Sequence, residues 1–129
     1  VTQWVRDALT HYWGGPRLTE TPVMKVKAAQ LAVAENEGNQ ATAMRSVIKK
    51  AVERIRPDGE RRYTADWILY NIIELKFLEG KKVREVALRL SMSEADLYRK
   101  QRIAIEAVAR EILEMESQVL NPVRPASSD

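Results

Sequence analysis

No cysteine occurs among the 129 residues, which excludes disulfides, thiolate metal sites and a cysteine nucleophile. Histidine occurs once, as His11, and phenylalanine once, as Phe77. No apolar run approaches the roughly 18 residues that a membrane span requires, and the N-terminus lacks a basic-then-apolar leader pattern. These absences predict a protein with no membrane partner and a cytoplasmic location. Glycine and proline number five each, and all of them lie where helices should start or stop. No segment shows the apolar/polar alternation of a half-buried strand. With 45% hydrophobic and 30% charged residues, the chain has the composition of a folded globular protein.

Helical periodicity recurs along the chain. Trp4, Val5, Ala8, Leu9 and Tyr12 share a face over 2–13, which Gly14-Gly15-Pro16 closes. Thr21-Pro22 has the chemistry of an N-cap followed by proline at the first helical position. The helix it opens is predicted to reach about Asn36 and to bury Val26, Ala29 and Val33. A third helix, about 40–55, aligns Met44, Val47, Ile48, Ala51, Val52 and Ile55, and Pro57-Asp58-Gly59 ends it. A fourth begins near Thr64 and is apolar on more than one face from Trp67 to Leu78, which predicts deep burial before Gly80 stops it. A short helix runs from Val83 to about Leu90. A long one then runs from Glu94 to about Val119, roughly 39 Å at about 1.5 Å per residue. The expected fold is all-α: an N-terminal helical segment over 1–60, a second unit over 61–120 ending in the long helix, and a linker-like tail over 121–129.

The net charge of +3 is small, but its distribution is uneven. From Lys81 to Arg102 seven basic residues face three acids, a net +4, whereas 103–129 carries a net −3. Arg45 to Arg62 is equally basic, at +4. The two basic stretches either share one DNA-facing surface or are solvated helix faces.

The most informative stretch is 83–98. Val83, Val86, Ala87 and Leu90 fall on one helical face, and Ser93 is a natural N-cap for the next helix, with Glu94 and Asp96 in its first turn. Two helices joined in this way form a helix-turn-helix, whose second helix can enter the major groove of DNA.

The segment Ile73-Glu74-Leu75-Lys76-Phe77-Leu78-Glu79-Gly80, followed by Glu85-Val86-Ala87 and Leu90-Ser91-Met92-Ser93, resembles region 4 of bacterial sigma-70-type factors. That region tends to read "LELRYLEG…EIA…LGIS…". The resemblance covers about 67–108, and the Leu97, Gln101, Ala104 and Val108 face largely matches the inward face of such a recognition helix. Three positions depart from the pattern: Ser91 replaces the turn glycine, Lys82 a capping Ser or Thr, and the acid Asp96 a small polar residue. The resemblance implies a trihelical DNA-binding unit in a bacterial transcriptional regulator, or the DNA-binding module of a larger one. Tyr98, Arg99 and Arg102 would then reach base edges or the groove, while Lys81, Lys82 and Arg84 would contact phosphates. The alternative is an interaction or dimerisation module that keeps the fold without binding DNA.

In the last helix, Gln101, Ile105, Val108, Ile112, Met115 and Val119 repeat at alternating four- and three-residue steps. This seam either joins two copies as a homodimer or buries against the N-terminal helices. Catalytic residues are not expected. Asp7 and His11 form only an i, i+4 pair, and Glu35 with Glu37, or Glu111, Glu114 and Glu116, are spaced as solvated faces. Gly14-Gly15 lacks the lysine of a phosphate-binding loop. The sequence therefore predicts a non-enzyme with no metal site and no cofactor, and places Trp4, Trp13 and Trp67 in the core.

Overall fold

The computed structural model describes residues 2–13, 18, 27–36 and 39–120. Among the described residues there are six α-helices and no strand: α1 (Thr2–Thr10), α2 (Lys27–Glu35), α3 (Gln40–Arg54), α4 (Ile68–Ile73), α5 (Val83–Arg89) and α6 (Glu94–Leu120). The protein is all-α. None of these helices is long and apolar enough to cross a membrane. The expected Gly14-Gly15-Pro16 break, the Thr21-Pro22 helix start, the burial of Val26 and the 121–129 tail lie outside the described residues.

Local chemistry places the element ends. Asn39 caps α3, its Oδ1 accepting the Thr42 N–H at 2.9 Å. Ser93 caps α6 in the same way, its Oγ accepting the Asp96 N–H at 3.0 Å; each cap satisfies an amide that the helix leaves orphaned. The fourth helix is not uniform. It enters through a 3₁₀ turn (Ala65–Trp67), becomes α-helical as α4 and widens to a π turn over Glu74–Leu78. The Glu79 N–H reaches back to the Glu74 carbonyl at 2.8 Å, and Gly80, at φ 72°, reverses the chain.

This rod feeds two cores. Tyr70, Ile73, Phe77 and Leu78 enter the larger one, with Val5, Leu9, Met44, Ile48, Trp67, Ala104, Val108 and Ile112. Ile72 and Leu75 enter a smaller one with Val86, Ala87 and Leu97, edged by Val83, Leu90 and Met92. Each large apolar side chain so buried contributes roughly 1.5–3 kcal/mol. Because described residues from both 1–60 and 61–120 supply the larger core, they pack together around α6, which touches every other described α-helix.

The seam on α6 has its partners within the chain. Gln101, Ile105, Val108, Ile112 and Met115 are buried, and Val119 packs at the edge of the larger core. The 27-residue helix is long because it spans both cores, and its N-terminal partners α1, α2 and α3 cover the stripe that a coiled coil would need. The stripe is therefore covered within the chain, while Ile103 and Leu113 of the same helix are exposed. The tryptophans also divide. Trp67 is buried, but Trp4 and Trp13 are exposed, correcting their expected place in the core. Trp13 instead donates its indole N–H to the Leu78 carbonyl at 2.6 Å, satisfying an acceptor at the end of the π turn.

Candidate nucleic-acid interface

The smaller core positions α5 against the start of α6. Val86 and Ala87 face inward from α5, Leu97 from α6, and Ile72 and Leu75 close the space from the rod. The connection is a Schellman-type ending. The Ser91 N–H donates to the Leu88 carbonyl at 3.2 Å and the Met92 N–H to the Ala87 carbonyl at 3.0 Å, with Met92 packed on the core. Ser91 accordingly takes φ 54°, the left-handed conformation in which glycine is unstrained. Lys82 takes the N-cap position of α5 without a side-chain cap bond.

On α6, Leu97, Gln101, Ala104 and Val108 are all buried, so the opposite face carries Tyr98, Arg99 and Arg102 outward. Tyr98 and Arg102 stand one helical turn apart, and both are exposed. Arg102 lies near the start of α1, lining a surface hollow with Thr2, Gln3 and Arg6. Arg99 lies 3.4 Å from Asp96, which also accepts from Lys100 Nζ at 2.9 Å. The Lys100 hydrogen bond, reinforced by the Lys100 and Arg99 charges, holds the Asp96 carboxyl below its usual range. Asp96 thus turns its charge toward Lys100 and Arg99 of its own helix.

The phosphate candidates differ among themselves. Lys82 and Arg84 are exposed and make no ion pair with any described residue. Lys81 is engaged by Glu85 at 3.3 Å and by Glu79 at 3.9 Å. Arg89, the last residue of α5, is also exposed and unpaired among the described residues. Its charge was visible in the sequence, but the motif alone gave it no role.

The rival basic stretch is partly spent on the fold: Lys49, Lys50 and Arg62 are exposed and unpaired among the described residues, but its other four cations are engaged. Arg54 pairs with Glu111 at 3.8 Å and donates to Gln118 at 2.8 Å, tying α3 to α6. Arg56 reaches Glu53 and lies over the Trp67 and Tyr70 rings. Arg61 donates to Asn71 Oδ1 at 2.8 Å, pairs with Glu79 at 3.4 Å and lies against Tyr63 and Tyr70. Asn71 is fully buried and completes the clamp by donating to the Arg62 carbonyl at 2.8 Å. Arg45 donates to the Tyr12 carbonyl and lies 5.8 Å from the Trp13 ring centroid.

Among the described residues no cluster of three histidines, aspartates or glutamates has the geometry to hold a metal ion. Comparison with protein-family models, curated proteins and solved structures finds no match.

Proposed function

We propose that residues 67–108 form a DNA-binding helix-turn-helix similar to sigma region 4, serving a cytoplasmic transcriptional regulator of bacterial type. The observation that carries this reading is the set of unspent cations around one helix pair: Lys82, Arg84, Arg89 and Arg102 are exposed and unpaired among the described residues. In the equally basic stretch elsewhere, Arg45, Arg54, Arg56 and Arg61 are paired or stacked, and Lys49, Lys50 and Arg62, exposed and unpaired among the described residues, lie outside this helix pair. In this reading the start of α6 enters the major groove. Arg102, with Tyr98 beside it, meets base edges, and Arg99 joins them on leaving Asp96. Lys82, Arg84 and Arg89 neutralise phosphates, with Lys81 contributing in proportion to its release from Glu85. Phosphate contacts set affinity and its salt dependence, whereas base contacts set discrimination.

Fluorescence anisotropy on duplex DNA fragments over a salt series tests this. Lys82→Ala weakens all sequences alike. Arg102→Ala selectively erodes preference for the best site, by roughly 1–3 kcal/mol if its contact is bidentate to guanine. Absence of binding at low salt overturns the reading.

One observation favours a second reading, an interaction module. Leu88, on α5, is 73% exposed between Arg84 and Arg89, more apolar surface than a phosphate-facing helix needs. A Leu88→Asp variant that loses a protein partner while retaining DNA affinity would support that role.

A further inference from the structure

A hollow of about 560 Å³ opens between the end of α1 and the turn joining the π segment to α5. Its volume lies within the roughly 300–1,000 Å³ typical of small-molecule sites. Leu9, Phe77 and Val83 supply apolar wall, and Trp13 stands beside them, 67% exposed. The tryptophan is not loose: its N–H is held by the Leu78 carbonyl at 2.6 Å, and the Tyr12 ring meets it edge-on at 4.9 Å between centroids. A fixed, exposed indole is a stacking surface whose ordering cost is already met by the fold.

The charge of the hollow is one-sided. Lys76 and Lys82 line it, with Lys81 and His11 at hand, and among the described residues no aspartate or glutamate does. Lys76 is half-buried, lies 4.9 Å from the Phe77 ring centroid and has no ion-pair partner among the described residues. Burial and the nearby Arg6 charge push its pKa below the ordinary lysine value, so the ammonium is held at a cost. The Phe77 ring offsets part of that cost and no described carboxylate pairs with the ammonium; an anion seated in the hollow would.

We propose that this hollow binds a small organic anion bearing a planar ring, with the ring on Trp13 and the anionic group between Lys76 and Lys82. The apolar wall favours a compact amphipathic ligand over a bare phosphate, which gains nothing from Leu9 or Phe77. This inference goes beyond DNA binding and does not depend on it.

The test titrates the whole protein with 1-anilinonaphthalene-8-sulfonate, a ring-bearing sulfonate, followed by its fluorescence. Saturable binding of one probe per chain is expected. Lys76→Gln and Trp13→Ala should each weaken it at least tenfold, and Lys49→Gln, outside the hollow, should not. Neutral N-phenyl-1-naphthylamine should bind at least tenfold more weakly than the sulfonate. Circular dichroism checks each variant, and if Trp13→Ala fails to fold, Lys76→Gln decides alone. Unsaturable binding, unchanged affinity in Lys76→Gln, or equal affinity for the neutral analogue overturns the proposal. So does a Lys76→Gln variant that loses duplex DNA affinity as steeply as probe affinity, which would assign the hollow to the nucleic-acid surface instead.

Discussion

Arg45–Arg62 and Lys81–Arg102 carry the same formal charge, yet they use it differently. In the first, the guanidinium groups of Arg54, Arg56 and Arg61 face carboxylates, an amide or aromatic rings within the chain, and Lys49, Lys50 and Arg62 are left exposed and unpaired among the described residues. In the second, the pairs are short-range, Asp96 with Lys100 and Arg99, and Glu85 with Lys81, leaving Lys82, Arg84, Arg89 and Arg102 facing solvent. Formal charge per segment therefore says little about the field a segment offers a partner. What matters is how much of that charge the fold has already neutralised, because a paired ion must break its existing contacts before it meets a phosphate.

The strongest way to break this comparison is to neutralise the unspent set. Replacing Lys82, Arg84, Arg89 and Arg102 together by glutamine should weaken duplex DNA binding by roughly a hundredfold or more at moderate salt, and should flatten the log–log salt slope by about 0.9 for each phosphate that is no longer neutralised. Thermal stability should barely change. If Lys49→Gln, Lys50→Gln and Arg62→Gln together cost DNA affinity as heavily, the distinction between the stretches fails.

Next in size is the converse experiment. Arg61→Ala strips buried Asn71 of a donor to its Oδ1, and leaving such a group unsatisfied costs roughly 1–3 kcal/mol. Urea unfolding should show that loss while DNA affinity in the folded protein stays within twofold. A large change in affinity with intact stability would place Arg61 on the binding surface.

A smaller effect, of opposite sign, sits in the turn. Because Ser91 occupies φ 54°, Ser91→Gly should stabilise the protein by about 1 kcal/mol by relieving left-handed strain. A decrease in stability would mean that the serine side chain contributes more than its backbone costs.

The smallest effect concerns Asp96. Its folded-state pKa lies below the unfolded value, so its contribution is present at neutral pH. That contribution is lost as pH falls from about 4, the ordinary aspartate range, through the lower folded value. Asp96→Asn should therefore remove a slight stabilisation seen at pH 7 and match the parent at pH 2. The same variant frees Arg99 and should modestly tighten DNA binding. A weaker complex would show that the carboxylate orients Arg99 for contact.

Most helix limits were legible because their causes are local. Asn39 and Ser93 cap the helices that follow them, and Gly80 reverses the chain where an L-residue would be strained. The face of Leu97, Gln101, Ala104 and Val108, which the resemblance to sigma region 4 implied would turn inward, is buried. The π turn over Glu74–Leu78 was not legible. An apolar run on several faces reads as an ordinary buried helix, and the wider turn arises where one rod must serve two cores. The stripe from Gln101 to Val119 was readable as apolar, but periodicity cannot tell a partner chain from the chain's own α1, α2 and α3.

Sequence alone determined that this protein is helical, where most helices begin and end, and which face of each turns inward, because propensity, capping and periodicity act over a few residues. Tertiary structure decided which charges remain free, which tryptophan is buried and what covers the long helix. Those outcomes depend on contacts such as Trp13 with Leu78, 65 residues apart, and Arg54 with Gln118, 64 apart, whose partners no local pattern specifies.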